Sequence, residues 1–443
     1  MSKKPGTNSG QKLGLWMSTA LVSGNMIGSG IFLVPAALAL YGGISILGWL
    51  FSTAGAILLA IVFARLSRLV KGIGGPYIYA RKSFGDLAGF LVVWSYWISI
   101  WSGNAAISVA GIGYLNNFWP GLAENYLLSG LLAISAIWFF TWVNTLGIRK
   151  VGFVQLVFTI LKILPLIAIA IFGYFYFDPG NFKPFNLSGE SAFSAIGRTA
   201  ALTLWAFLGL ESVTIPADKI KDPERTIPRA TIFGTLLVAV IYIGSTVAVM
   251  GIISPQALAN STAPFADAAN NIWNSWAGYA VAGGAVIACF GALNGWILLQ
   301  GQLPMAAAKD DIFPKIFRRT SKKNIPIFGL VISSILATVL IFMNYTRGLV
   351  EMFTFIIMVA TLATLLPYLL STASELVINY RDHKRYNRKQ LIGKSIISIL
   401  AFLFSIWAVV SLGLEIIGLG LLLLLAGIPF YIWIKKREKE EEK

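Results

Sequence analysis

Gly24, Gly28 and Gly30 fall within seven residues of an otherwise largely apolar run, residues 13–40. Each glycine costs a helix interior roughly 1 kcal/mol relative to alanine, and in lipid any unwound backbone must find internal partners. A run that interrupts its own helix in this way frees amides and carbonyls for a ligand. N–H groups after the break, on Ser29 and Gly30, open a half-helix and favour an anion such as a carboxylate. Carbonyls of Met26, and of Trp205 and Leu208 in a second interrupted run, can accept hydrogen bonds from an ammonium. These groups suit the holding of a small solute, with a Ser29 hydroxyl bonded back onto its own helix as the alternative. Two ionisable groups also lie inside apolar runs, Lys162 and Glu211. A charge there is expensive unless it is paired or functional.

Bond-breaking chemistry has little to draw on. His383 is the single histidine and Cys289 the single cysteine, so neither a metal cluster nor a Ser-His-Asp set is expected, and an intramolecular disulfide is excluded. Gly393-Lys394-Ser395 mimics the end of a phosphate-binding loop, but Arg388 stands where that loop needs glycine. A solvated helix start is the better reading. With no nucleotide motif, transport would run on gradients or exchange; no cofactor is called for, and an enzyme is not expected. A channel would need a continuous polar pore, which spans so poor in charge do not offer.

The elements that must position these residues are membrane spans. Apolar residues make up 57% of the 443 and charged residues only 12%, against about 25% charged in soluble domains. Mean hydropathy is +0.75. Runs of about 20 apolar residues predict twelve spans, near 13–40, 44–66, 86–118, 126–146, 152–177, 192–216, 229–253, 277–306, 326–343, 348–379, 392–413 and 416–434. The net charge of +16 would suggest nucleic acid in a soluble protein. All but four of the 35 basic residues, however, fall in the tails and every second loop. The exceptions are Lys183, Arg347, Lys162 and Arg198. Such alternation is the positive-inside rule: it puts both termini in the cytoplasm and makes the lipid bilayer, not nucleic acid, the large partner. No removable signal peptide is expected. Asn-x-Ser/Thr triplets at Asn186, Asn260 and Asn344 fall on the opposite side and read as chance.

Span one breaks at 24–30 and span six near 204–212, about 180 residues and five spans apart. Five is odd, so the second unit enters the membrane from the other side, as in inverted-repeat transporters whose broken helices meet at the midplane. The organisation expected is a polar tail over 1–12, a first repeat of five helices over 13–180, a second over 190–380, two added helices over 390–434, and a charged tail over 435–443.

Specific motifs then carry a resemblance. Residues 23–32 (SGNMIGSGIF) followed by Pro35, residues 74–80 (GGPYIYA) with Phe84-Gly85, residues 203–212 (TLWAFLGLES) and 222–228 (DPERTIP) all match one family. Residues 260–265, Gly295-Trp296 and residues 310–314 (DDIFP) extend the match. The chain resembles the amino acid–polyamine–organocation transporters, in particular the bacterial basic amino acid/polyamine antiporters of the arginine/agmatine exchanger type, with their putrescine–ornithine and lysine–cadaverine relatives. That resemblance implies an all-α membrane protein of about twelve helices with a five-plus-five inverted repeat like the sodium-coupled leucine transporter's. It places the protein in a bacterial inner membrane, leaves a homodimer open, and makes an amino acid or amine the small-molecule partner.

The resemblance also assigns roles. Asn25, Met26, Ile27, Ser29 and Gly30 would form the main-chain half of the substrate site. Trp205 and Trp296 would cover the substrate and gate it, offering a π face to a cation, whereas Trp16, Trp119 and Trp433 read as interface anchors. Asn104 would bond the substrate side chain, or else bridge helices. Glu211 with Tyr96 and Tyr368 would form the inner gate and carry a proton, the alternative being a fixed bond between helices. Lys162 departs from those antiporters and resembles sodium-independent superfamily members, whose lysine amine stands where sodium-driven relatives bind an ion; a structural ion pair is the alternative. Ile100 and Ala360 replace small polar or polarisable residues of the arginine exchanger, which puts arginine in doubt and leaves a smaller or more apolar amino acid open. The reading is a sodium-independent exchanger of an amino acid for another or for its amine, with proton symport as the alternative.

Overall fold

The computed structural model describes residues 12–122, 124–261, 263–344, 349–382, 387–411 and 414–441. For residues 29, 33, 344, 349–359, 414–416, 419 and 437–441 the backbone alone is described. Lys3, Lys4, Thr262, Arg347, His383 and the last two residues lie outside the described residues.

Nearly every apolar run becomes a helix, because a backbone in hydrocarbon must satisfy its own N–H and C=O groups. In chain order these are α1 (Leu15–Met26), α2 (Ser29–Ala39), α3 (Ser45–Leu69), α4 (Pro76–Phe84), α5 (Asp86–Leu115), α6 (Tyr126–Thr145), α7 (Ile148–Phe172) and α8 (Ala192–Leu204). They continue as α9 (Pro223–Ile252), α10 (Pro255–Ala259), α11 (Pro264–Trp273), α12 (Ser275–Lys309), α13 (Ile327–Asn344), α14 (Leu349–Arg381), α15 (Arg388–Ser411) and α16 (Leu414–Glu441). Among the described residues nine helical segments are long and apolar enough to cross a membrane. The predicted first span is the pair α1 and α2, of 12 and 11 residues, interrupted where the glycines cluster. Gly393-Lys394-Ser395 lies in the first turns of α15, a helix start as expected.

Span six behaves differently from a simple broken helix. The α-helix ends at Leu204, and Trp205–Phe207, Ser212–Thr214 and Ala217–Lys219 are single 3-10 turns. Gly209 adopts φ +102°, a conformation that side chains disfavour, and Pro216 follows at ψ 44°. No α-helical turn resumes before α9.

Helices α5 and α12 pack against each other at the centre, α14 covers α5, and α3 lies against α8 and α9. α1 packs on α7, α9 and α12. Outward faces are apolar: Ile160, Leu164 and Ile171 on α7 and Ile396, Leu400 and Leu403 on α15 are exposed, the pattern of helices that meet lipid tails. Trp16, Trp119 and Trp433 are exposed too. At the basic end α4 is pinned to its neighbours. Arg81 pairs with Asp86 at 2.7 Å and with Asp310 at 3.3 Å, and the Tyr77 hydroxyl donates to Asp310 at 2.9 Å. Burial, and then the adjacent Asp310 carboxylate, push the Tyr77 hydroxyl well above the usual tyrosine range, so it stays a donor. Nearby, Leu13 and Ile220 form the isolated parallel β-bridge, with Leu13 N–H donating to Lys219 O at 2.8 Å and Lys221 N–H to Leu13 O at 2.9 Å.

Candidate functional site

The break between α1 and α2 spans two residues, Ile27 (φ −78°, ψ 95°) and Gly28 (φ −130°, ψ −144°). The last carbonyls of a helix have no partner of their own. Here four in succession find side-chain donors. Lys162 Nζ, from α7, donates to Gly24 O at 2.6 Å and to Ile27 O at 2.5 Å. Trp296 Nε1, from α12, donates to Asn25 O at 3.1 Å, and the Tyr242 hydroxyl, from α9, to Met26 O at 2.8 Å. Lys162 is fully buried, and its amine meets carbonyls at the break, not a carboxylate. Helices α1 and α7 can approach this closely because Gly24 has no side chain; a Cβ there would overlap the Gln155 amide and fall 2.7 Å from the Thr159 hydroxyl.

On the other side of the break, α2 starts without any side-chain cap at Gly28, so its first N–H groups are available to a ligand. They border a cavity of about 40 Å³, room for about three water positions. Asn25, Met26, Gly28 and Gly30 line it from the break, Trp205 and Leu208 from the span-six break, and Trp296 from α12. Its far end is formed by Ser99, Ile100, Gly103 and Ile107 of α5 with Ala360 and Thr364 of α14. Ser99 and Thr364 bond each other through their hydroxyls. The Asn25 amide is buried with neither of its polar atoms partnered among the described residues.

The two breaks touch. A Cβ on Gly30 would lie 2.6 Å from Trp205 Cδ1 and 2.9 Å from its Nε1, and a Cβ on Gly209 would lie 2.9 Å from Trp296 Cζ2. Trp205 of the second break therefore lies against Gly30 of the first, and Gly209 of the second lies against Trp296 of α12 and, 3.3 Å from its Cβ position, against Asn25 Cβ of the first. Trp296 also meets Tyr96 edge-on, with centroids 6.5 Å apart at 81°. Beyond it the fully buried Glu211 carboxylate accepts hydrogen bonds from the Tyr96 and Tyr368 hydroxyls, one on each oxygen. Tyr368 Oη in turn accepts from Gly209 N–H at 3.0 Å. One connected set of groups thus runs from the cavity wall through Trp296 and Tyr96 to Glu211 and Tyr368.

Of the residues singled out in the sequence, Asn25, Met26, Gly30, Ile100, Trp205, Leu208, Trp296 and Ala360 line the cavity. The Ser29 side chain lies outside the described residues, and its backbone begins α2. Tyr96, Glu211 and Tyr368 form the clasp behind the cavity, and Lys162 and Ile27 meet at the back of the break. Asn104 is not among the lining residues; its Nδ2 donates to Gln300 Oε1 at 2.7 Å, joining α5 to α12, while its Oδ1 has no partner among the described residues. Tyr242, Ser99 and Thr364 escaped the sequence reading. A tyrosine in mid-span was the available signal for the first, since a buried hydroxyl needs a partner. Ser99 and Thr364 carried none, as hydroxyls inside spans mostly bond their own helix.

With this geometry in view, comparisons with known proteins are specific. The family model of the amino acid permeases matches residues 13–419. The chain is 36% identical over 373 residues to a cadaverine/lysine antiporter of Escherichia coli strain K12, covering 82% of this chain and 83% of that one. It is 33% identical over 422 residues to the putrescine transporter PotE of Haemophilus influenzae, covering 95% and 96%. To the Escherichia coli K12 transporter of the same name it is 32% identical over 427 residues, covering 96% and 97%. Both the family and these relatives are transporters, not enzymes, and the chain is a multi-pass membrane protein that belongs to the amino acid permease family.

Proposed function

We propose that the protein is a sodium-independent antiporter that exchanges an amino acid for another amino acid or for its decarboxylated amine. The observation that carries this reading is the cavity where the two breaks meet, bordered by uncapped N–H groups of α2 and walled by Trp205 and Trp296. The substrate carboxylate is taken by the α2 N-terminus and the α-ammonium by carbonyls around the breaks. Met26 O already accepts from Tyr242, and Trp205 O from Leu208 N–H at 3.2 Å, so Leu208 O is the freer acceptor. At about 40 Å³ the cavity is smaller than an amino acid, so loading requires Trp205 or its neighbours to swing aside. This is the motion expected of a gate.

In this reading the buried Lys162 amine serves as a tethered cation at the break carbonyls, in the role that a sodium ion would otherwise fill. The clasp of Glu211 by Tyr96 and Tyr368 closes the path beyond the substrate. The repeats run over 13–180 and 190–380, with 390–434 appended, and the basic end faces the cytoplasm of a bacterial inner membrane. Ile100 and Ala360 leave the far end of the cavity without a charged partner. A second polar head there would rest on the Ser99 and Thr364 hydroxyls and on indole faces. The similarity to a cadaverine/lysine antiporter supports exchange over proton symport. Counterflow in proteoliposomes tests the reading. Labelled amino acids should accumulate only when the lumen holds an exchangeable amino acid or amine, and uptake driven by a proton gradient into empty vesicles would favour symport.

A further inference from the structure

A second cavity, of about 190 Å³, opens at the basic end of the molecule between the start of α1, the loop before α9, α6, α12 and α13. On α12, Gln302 lies six residues beyond Trp296, about 9 Å along the helix, so this cavity is distinct from the central one. Its wall carries buried acceptors. Asn144 and Gln302 are 3% and 4% exposed, and Asn144 Oδ1, Gln302 Oε1 and Asp218 Oδ1 are buried without a hydrogen-bond partner among the described residues. The Asn144 orientation is fixed by its amide nitrogen, which donates to the backbone carbonyls of Phe140 at 2.9 Å and Asn294 at 3.3 Å. Three buried oxygens without donors ask for a ligand that donates. Lys12, Lys219 and Lys323 also line the cavity, with Lys219 held 3.2 Å from Asp218 Oδ2.

We propose that this cavity is a second binding site for a zwitterionic amino acid, its ammonium on Asn144, Gln302 and Asp218 and its carboxylate on Lys12 and Lys323. An anion alone would meet the unpartnered oxygens with repulsion, and a diamine would meet the lysines in the same way. The inference rests on the antiport reading above: a site at the basic face, next to the Leu13–Ile220 bridge, would capture the amino acid on the side to which that reading assigns the cytoplasm.

Equilibrium binding of labelled alanine, leucine, lysine and arginine to the purified full chain in detergent tests it, with the central site filled by Gly30→Val. At least one of these amino acids should still bind at one saturable site per chain. Gln302→Leu and Asp218→Asn, each added to Gly30→Val, should weaken that site roughly tenfold or more, as expected for loss of a hydrogen bond to a charged group. The matching decarboxylated amine should compete at least about tenfold worse than its amino acid. The proposal falls if Gly30→Val removes all saturable binding, or if the remaining site is unmoved by both pocket substitutions. It also falls if short-chain phosphatidylethanolamine occupies that site in preference to every amino acid, which would make it a lipid site. The antiport reading fails on a separate arm. In the Gln302→Leu/Asp218→Asn chain the central site alone remains, and counterflow there that Gly30→Val leaves intact would move the transport site elsewhere while sparing the second-site result.

Discussion

Gly30→Val is the perturbation the geometry constrains most tightly. A Cβ at this position would lie 2.6 Å from Trp205 Cδ1, whereas carbon atoms in contact sit about 3.5–4.0 Å apart. The indole must therefore retreat by about 1 Å, and valine adds two methyl groups beyond that first clash. The cavity beside the indole holds about 40 Å³, and strain relieved into it occupies the substrate's place. Overpacking costs roughly 1–3 kcal/mol, and if that cost falls on the bound state the dissociation constant rises about 5- to 150-fold. Binding of a labelled substrate to purified protein, alongside thermal unfolding followed by tryptophan fluorescence, separates lost affinity from lost fold. Gly30→Ala should fall between wild type and valine. Gly197→Ala, where a Cβ would meet nothing within 4 Å, should leave affinity unchanged. In the Gln302→Leu/Asp218→Asn chain, where only the central site remains, Gly30→Val binding within twofold of its Gly30 parent would refute the placement of substrate between the α2 N-terminus and Trp205.

Other outcomes follow from the same geometry. Uptake by the wild type should be unchanged when choline replaces sodium, and Lys162→Met should lose transport. That change leaves the carbonyls of Gly24 and Ile27 without a donor, at about 1–3 kcal/mol each; a strict sodium requirement in the wild type would contradict the tethered-cation role. Tyr242→Phe orphans only Met26 O, so unfolding should become easier by about 1–3 kcal/mol, and an unchanged melting curve would argue against that bond. Trp205→Leu should weaken binding and slow exchange with expression intact. Ala360→Ser adds a hydroxyl at the far end of the cavity and should raise affinity for arginine relative to a neutral amino acid by about 1 kcal/mol. Competition of a labelled neutral substrate by arginine reads this out, and a wild type that already prefers arginine to every neutral competitor would overturn the distal-pocket argument.

Much of the frame is legible in the residues because lipid leaves few choices. Length and hydropathy place the spans, and the glycines at 24, 28 and 30 mark the first break, where the structure indeed leaves the helix at Ile27 and Gly28. The second break was visible near Gly209, but not its aftermath: the span was expected to run on from the break to about residue 216, and that stretch runs as turns. The reason is local, the left-handed Gly209 and then Pro216, in a stretch apolar enough to read as helix. Which groups satisfy the freed carbonyls was less accessible. Tyr242 reaches Met26 O across 216 residues of chain and Trp296 reaches Asn25 O across 271, pairings set by how helices cross and not by any periodicity along one of them. Asn104 shows the limit in the other direction: a polar residue in mid-span suggests a ligand contact, while in the fold its amide nitrogen is taken by Gln300.

A substrate-bound structure, obtained with whichever amino acid shows the strongest counterflow, would locate the substrate outright. Ligand density should lie between the break at Ile27–Gly28 and the Trp205 indole, with the carboxylate within hydrogen-bonding distance of the first N–H groups of α2 and Lys162 still on the carbonyls of Gly24 and Ile27. Density elsewhere with this cavity closed, or a ligand turned so that its ammonium points at the α2 N-terminus, would rule this site out.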